Sequence, residues 1–282
     1  MKPNQTMTYS DLTEKEFLLF QKLVYDKCGI NLHEGKKELV RARLGKRLRE
    51  HQFSRFKEYY QYLMEDGTGE ELILMLDAIS TNLTSFFREP KHFDFLKSQV
   101  LPGFMASAHS ASPKCLNLWS AGCSSGEEPY TLSICLREYM AAEKFFDYKI
   151  MATDISTKVL ATASAGVYGQ NQIHTISGQH LKQYFQQGRG KWRSHVRIKS
   201  EIRKAIEFKR FNLMDPFPQK EHFHVIFCRN VMIYFDKKVQ ETVVNKFYDA
   251  LVEGGYLFIG HSESLMGTQH RFQYIQPTIY RK

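Results

Sequence analysis

Trp119-Ser-Ala-Gly-Cys-Ser-Ser-Gly-Glu-Glu-Pro-Tyr130 joins the apolar run Leu116-Asn-Leu-Trp-Ser-Ala121 to an amphipathic stretch that begins at Glu127. The run reads as a buried strand. A glycine-rich turn between the first strand and first helix of an α/β domain lets a ligand approach the backbone at the carboxyl edge of the sheet. The turn is not G-x-G-x-x-G, and it offers no basic or glycine-only cradle for a pyrophosphate. It ends instead in Glu127 and Glu128, which repel phosphate and suit a cation such as a sulfonium carrying an ammonium group. A nicotinamide dinucleotide is disfavoured.

Working outward, short apolar runs alternate with longer amphipathic ones from Leu116 onward. Strands are expected at Leu116–Ala121, Lys149–Thr153, Ile206–Asn212, His224–Cys228, Tyr256–Gly260 and Phe272–Tyr280. Helices are expected at Pro129–Met140, Thr157–Ala165 and Lys237–Val252. Such alternation predicts an α/β domain with a mostly parallel sheet. Asp154 ends the second strand, where an acidic residue can accept hydrogen bonds from ribose hydroxyls; it reads equally well as an N-cap for the helix that follows. Gly254-Gly255 reads as a tight turn after a helix, ahead of two closing strands. Tyr168 to Ala205 breaks the alternation and, with Gly188-Arg-Gly190 and His195-Val-Arg-Ile-Lys199, reads as an inserted hairpin.

The first hundred residues read as helical. Thr13-Glu-Lys-Glu16 is a capping-box pattern ahead of Phe17, Phe20, Leu23 and Val24. A second helix covers Lys36 to His51, with Val40, Leu44 and Leu48 as its apolar stripe and Lys36, Arg43 and Arg47 together on a flank. Further helices are expected at Phe56–Met64 and Glu70–Ser80. The domain organisation expected is a helical domain over 1–100, a small-residue link over 101–115, and an α/β domain over 116–282 with the insertion at about 170–205.

The net charge of +9 is unevenly placed. Lys27–Lys57 carries ten Lys/Arg against three Glu, and Lys182–Lys204 eight against one, so the remainder is mildly acidic. Two basic surfaces suggest an acidic partner. The five cysteines are widely spread without C-x-x-C spacing, which suggests neither disulfides nor zinc and fits reduced thiols in the cytoplasm. No apolar run is long enough to span a membrane.

These pieces together resemble the bacterial chemotaxis receptor methyltransferases, the CheR family. The resemblance is carried by Thr81-Asn-Leu-Thr-Ser-Phe-Phe-Arg-Glu89, by Trp119–Tyr130, by Ala152-Thr-Asp-Ile155, by Phe227-Cys-Arg-Asn-Val-Met-Ile-Tyr-Phe-Asp236 and by Gly260-His-Ser-Glu-Ser264, in the family's order. It implies a class I S-adenosylmethionine-dependent methyltransferase fold with an antiparallel last strand, preceded by a small all-helical domain and carrying a small β-subdomain. It also implies a protein-glutamate O-methyltransferase, which converts receptor glutamates to methyl esters and releases S-adenosylhomocysteine.

The cofactor contacts the resemblance implies are Asn82, Thr84, Arg88, Glu128, Asp154, Asn212, Leu213, Arg229 and Asn230, with Glu128 preferred to Glu127 for the methionine ammonium. Arg88 is expected to pair with the cofactor carboxylate or with the incoming glutamate, and Tyr234 to orient that glutamate. His261, Ser262 and Glu263 read as structural polar residues. No metal is called for. The substrates implied are methyl-accepting chemotaxis receptors, whose glutamate-rich helices would dock on Lys36, Arg43 and Arg47. In some members the β-subdomain also binds a short C-terminal receptor peptide by strand addition; here Ser194 stands where the peptide-binding kind would carry glycine. A monomer is expected.

Two rivals come from other classes: a methyltransferase acting on nucleic acid, and a catalytically inactive cofactor-binding adaptor. The basic segments lack an interleaved aromatic stacking platform, and Asn230-Val-Met-Ile lacks a Pro-Pro-aromatic run, which speaks against the first. The retained cofactor positions speak against the second.

Overall fold

The computed structural model describes residues 9–107, 115–143, 146–217 and 222–282. In chain order the helices are α1 (Glu14–Cys28), α2 (Lys37–Glu50), α3 (Phe56–Glu65), α4 (Glu70–Ile79), α5 (Pro90–Phe95), α6 (Leu101–Ser107), α7 (Glu127–Ala142), α8 (Thr157–Ala165), α9 (Gly178–Tyr184), α10 (Ser200–Arg203) and α11 (Lys237–Ala250). The strands are β1 (Cys115–Ala121), β2 (Asp147–Asp154), β3 (Val167–Gly169), β4 (Phe185–Gln187), β5 (His195–Ile198), β6 (Ile206–Arg210), β7 (Phe223–Cys228), β8 (Leu251–Ile259), β9 (Gln273–Gln276) and β10 (Ile279–Arg281).

Contacts divide the chain into two units, one of residues 1–81 with 234–236 and one of 82–233 with 237–282. The division falls at Thr81/Asn82 rather than near residue 100. Of the expected link, 101–107 is helical, because Leu101 and Phe104 are buried with α7 and the sheet; residues 108–114 lie outside the described residues.

The first unit is helical. Its opening cap is the expected one, with Glu16 N donating to Thr13 Oγ1 at 3.3 Å and Thr13 N donating to Glu16 Oε2 at 2.9 Å. Phe17, Phe20 and Val24 of α1, Val40, Leu44 and Leu48 of α2, and Phe56 and Tyr59 of α3 are buried. The apolar spacing of these helices thus lies along the faces that pack.

The second unit is built on a seven-stranded sheet ordered β6-β2-β1-β7-β8-β10-β9. The first five strands are parallel, β10 is antiparallel to β8, and β9 is antiparallel to β10. Strand order reverses between β1 and β7, the point at which α/β sheets bind ligands beyond the strands' carboxyl ends. Leu116, Leu118, Val225, Phe227 and Phe258 meet Leu132, Cys135 and Leu136 of α7 in one core.

Two local expectations differ from the structure. The run Phe272–Tyr280 is two strands, because Thr278 turns the chain with φ +66°. Gly254-Gly255 lies inside β8, where the register shifts against β7, rather than ahead of the strand. The insertion is a three-stranded antiparallel sheet ordered β3-β5-β4 that starts at Val167. Tyr168, Phe185, Val196 and Ile198 of that sheet pack on Phe86, Tyr130 and Ile134.

Candidate functional site

The glycine turn is clamped to β2. Gly122 N and Cys123 N both donate to Thr153 O at 2.8 Å, and Ser124 N donates to Asp154 Oδ2 at 2.9 Å. Asp154 Oδ1 accepts from Ser156 N at 2.9 Å, so each carboxylate oxygen already holds one backbone donor. The N-cap of α8 is Ser156, not Asp154. Gly126 has φ +97°, and a Cβ there would lie 2.9 Å from Ala163 Cβ and 3.0 Å from Tyr168 Oη. Only glycine satisfies both the conformation and the close approach.

The two acidic residues at the end of this turn behave differently. Glu127 is buried and accepts from Ser125 Oγ at 2.7 Å and from Gln172 Nε2 at 3.5 Å, which ties the glycine turn to the segment after β3. Glu128 accepts from Ser120 Oγ at 2.7 Å and lies 3.3 Å from Arg229 Nη1. Burial raises the Glu128 carboxyl above its ordinary value, with Arg229 and the Ser120 bond acting in the opposite sense.

Arg229 is the centre of the site. Its side chain is 2% exposed and lies over the rings of Phe93 and Phe227, at 5.4 and 5.9 Å. Besides Glu128, it contacts Glu89 Oε2 through Nε at 3.2 Å and Nη2 at 3.1 Å, and Nη2 also donates to Arg88 O. Glu89 Oε1 accepts from His261 N at 3.2 Å. Burial pushes Glu89 upward, but Arg229 and then the His261 N–H outweigh it and hold the carboxyl below its ordinary value.

Glu89 tethers a strap, residues 82–89, to the sheet. Ser124 Oγ donates to Asn82 O at 3.0 Å, and Arg88 Nη1 reaches back to Leu83 O at 2.8 Å. Phe87 and Glu89, on either side of Arg88, both have left-handed backbones, φ +56° and +60°. Such strain persists only where surroundings impose it. Here Phe87 stacks on His180 at 5.0 Å and Glu89 is held by Arg229.

Of the other expected cofactor residues, Thr84 lies half-buried in the strap. Asn212 Oδ1 accepts from Met214 N at 3.1 Å, and Leu213 is buried just after β6. Asn230 has φ +59°, and its N–H donates to Glu263 Oε2 at 2.9 Å. Glu263 also accepts from Gly260 N at 2.5 Å and Ile233 N at 3.2 Å, which fits a structural role. Tyr234 is grouped with the first unit, where its carbonyl accepts from Asn31 N at 2.8 Å.

The basic residues expected on the flank of α2 make contacts within the helical unit. Arg43 donates to the carbonyls of Ile79 and Ser80, and Arg47, its side chain 16% exposed, pairs with buried Glu71 and with Glu50. Both turn toward α4 and its C-cap; the charge of Arg47 is met by Glu71 and Glu50, whereas Arg43 bonds neutral carbonyls only. Lys36 is half-buried and ends a 3-10 turn before α2 begins.

Sequence reasoning overlooked Glu89 as the partner of Arg229 and His92 as its neighbour. Glu89 and Arg229 lie inside quoted motifs and His92 just beyond one, but 140 positions separate the pair and no local spacing links them.

Comparison with known proteins bears on the same two units. The chain matches the family model "CheR methyltransferase, all-alpha domain" over residues 15–80 and "CheR methyltransferase, SAM binding domain" over residues 82–281. It is 42% identical to a chemotaxis protein methyltransferase of Borreliella burgdorferi, covering 96% of this chain and 95% of that one. A probable chemotaxis protein methyltransferase of Rhizobium etli is 38% identical over 92% of this chain and 96% of its own. The Salmonella typhimurium chemotaxis protein methyltransferase is 35% identical, with 95% and 90% covered. Among the described residues, no helix is long and apolar enough to cross a membrane. With the strand order, the acid-ended glycine turn and both family domains in agreement along nearly the whole chain, it belongs to the CheR methyltransferases, with an all-helical domain followed by a SAM-binding domain.

Proposed function

We propose that the chain methylates glutamate side chains of methyl-accepting chemotaxis receptors, as a protein-glutamate O-methyltransferase. The observation that carries this reading is the Glu128 carboxylate, set at the end of a glycine turn without a phosphate cradle, in a chain of this family. The donor set fits S-adenosylmethionine. Glu128 suits its ammonium, and Asp154, at the carboxyl end of β2 beside the glycine turn, is an acceptor of the kind ribose hydroxyls require. Bound S-adenosylmethionine supplies an electrophilic methyl group on a sulfonium.

The acceptor requires little of the protein. A glutamate carboxylate has an ordinary pKa of about 4.3 and is already the nucleophile at neutral pH, so no general base is needed. What remains is desolvation of the carboxylate and its alignment for in-line displacement. The Arg88 guanidinium donates one N–H to Leu83 O, and the rest of its fork suits a carboxylate. The strap bonds hold Arg88 at the edge of the turn, which favours it as the residue that meets either the cofactor carboxylate or the incoming glutamate.

Incubation with methyl-labelled donor and receptor fragments tests the proposal. Alkali-labile label on receptor glutamate is expected. Label that resists alkali, or that appears on nucleic acid instead, overturns it.

A further inference from the structure

One guanidinium serves two carboxylates in this site. Arg229 reaches Glu128 with Nη1 at 3.3 Å and Glu89 with Nε and Nη2 at 3.2 and 3.1 Å. The group is buried and lies over the rings of Phe93 and Phe227, so its charge is weakly screened. A ligand ammonium that approaches Glu128 must therefore approach a fixed cation as well. That cation repels it unless another anion neutralises it.

Glu89 is that anion. It touches Arg229 with Oε2, while Oε1 is fixed by His261 N at 3.2 Å. Glu89 stays ionised over the working pH range because Arg229 and its neighbours hold its carboxyl below the ordinary value against the effect of burial. We infer that Glu89 is a positioning residue for cofactor recognition: by taking the charge of Arg229, it leaves the Glu128 carboxylate free to bind the ammonium group of the donor.

The inference rests on the reading of Glu128 as the ammonium contact. The alternative use of this cluster, as a cation site formed by Glu89, His92 and His261, whose ligand atoms lie within 4.8 Å of one another, is disfavoured because Arg229 already occupies the cation's role at Glu89. Without the Glu89 charge, the whole guanidinium charge falls to Glu128. The Arg229–Glu128 pair then tightens and the ammonium is repelled. A ligand without an ammonium does not register the change.

The experiment is calorimetric titration of the full chain with S-adenosylhomocysteine and with methylthioadenosine, which lacks the amino-acid group. For Glu89→Gln, S-adenosylhomocysteine is expected to bind at least about fivefold more weakly, the lower end of typical site-to-site coupling, with methylthioadenosine unchanged. Adding Glu89→Gln to Glu128→Gln should cost less than Glu89→Gln costs alone, since the competition for Glu128 is gone and only the direct repulsion by Arg229 remains. Equal weakening of both ligands by Glu89→Gln would mean that Glu89 only holds the strap in place, and would overturn the inference. Unchanged S-adenosylhomocysteine binding in Glu89→Gln, with a loss in Glu128→Gln, overturns it while sparing the reading of Glu128. No loss in Glu128→Gln removes that reading and the inference together. If Glu89→Gln does not fold, Glu89→Asp, which draws the charge back from Arg229, must show the same selective loss.

Discussion

Acid should destabilise the second unit through a single histidine. His92 is 1% exposed, and its ring packs edge-on against Phe258 and His261 at 5.6 and 5.0 Å. Thr278 Oγ1 donates to Pro277 O at 2.5 Å, so it accepts from His92 Nε2, 2.7 Å away. That leaves Nδ1 without its proton, 3.5 Å from Glu89 Oε2. Burial, followed by the charge of Arg229, pushes the imidazole down to about 3 from an ordinary 6.5, with Glu89 pulling the other way and His261 adding slightly to the fall. Below pH 6.5 the unfolded chain takes up this proton and the folded chain does not, so stability is lost as the pH falls from 6.5 towards 3. Between pH 7 and pH 5 the loss from His92 alone is about 2 kcal/mol. Urea unfolding at the two pH values, followed by tryptophan fluorescence, reads the second unit, because Trp119 is buried in β1 and Trp192 also belongs to that unit. His92→Gln keeps an amide for Thr278 and cannot titrate. It should lose about 2 kcal/mol less than the parent on acidification, with the other histidines common to both proteins. Equal losses in the two proteins would refute the reasoning.

Three further outcomes are expected. Glu128→Gln should weaken S-adenosylhomocysteine binding by about tenfold or more, whereas Glu127→Gln, whose side chain is taken up by Ser125 and Gln172, should leave affinity nearly unchanged; titration calorimetry decides, and equal losses would contradict the distinction. Gly126→Ala should cost about 2 kcal/mol in urea unfolding and impair cofactor binding, since it places a Cβ 3.0 Å from Ala163 Cα at φ +97°; a neutral result would show that the turn relaxes. Arg47→Met should destabilise the helical unit by about 3 kcal/mol, measured by circular dichroism, because Glu71, 5% exposed, loses its cation; a loss below about 1 kcal/mol would show that solvent replaces it.

The fold was legible where packing obeys a local period. Helices α1 to α4, α7, α8 and α11 follow from apolar residues at helical spacing, and β1, β2, β6 and β7 from short apolar runs. The misreadings share one cause. Pro277-Thr278 carries no glycine, yet Thr278 takes φ +66° while its hydroxyl bonds to His92, so the split between β9 and β10 depends on a residue far away in sequence. Gly254-Gly255 has the composition of a turn, but β8 continues through it because Gly255 O accepts from Lys282 N at 2.9 Å and Gly254 N donates to Lys282 O at 3.2 Å. In each case the deciding partner is invisible to a window of a dozen residues.

The same limit separates the site into two parts. The glycine turn and its acids are contiguous, and their chemistry can be read from residue types alone. The sign of the charge on α2 could be counted, but its direction could not, since Arg43 and Arg47 are claimed by the carbonyls of Ile79 and Ser80 and by Glu71. Glu127 and Glu128 are indistinguishable by type and adjacent in sequence, yet a difference of about 100° in direction around the helix gives them unrelated partners. Glu127 meets Ser125 and Gln172, and Glu128 meets Ser120 and Arg229. Burial raises both carboxyls, but only Glu128 has a neighbouring guanidinium to offset it. An ammonium ligand is attracted where a carboxylate remains ionised with capacity to spare. For Glu128 that condition is set by how Arg229 divides its charge, and hence by Glu89 in a strap that the linear sequence places well before the turn.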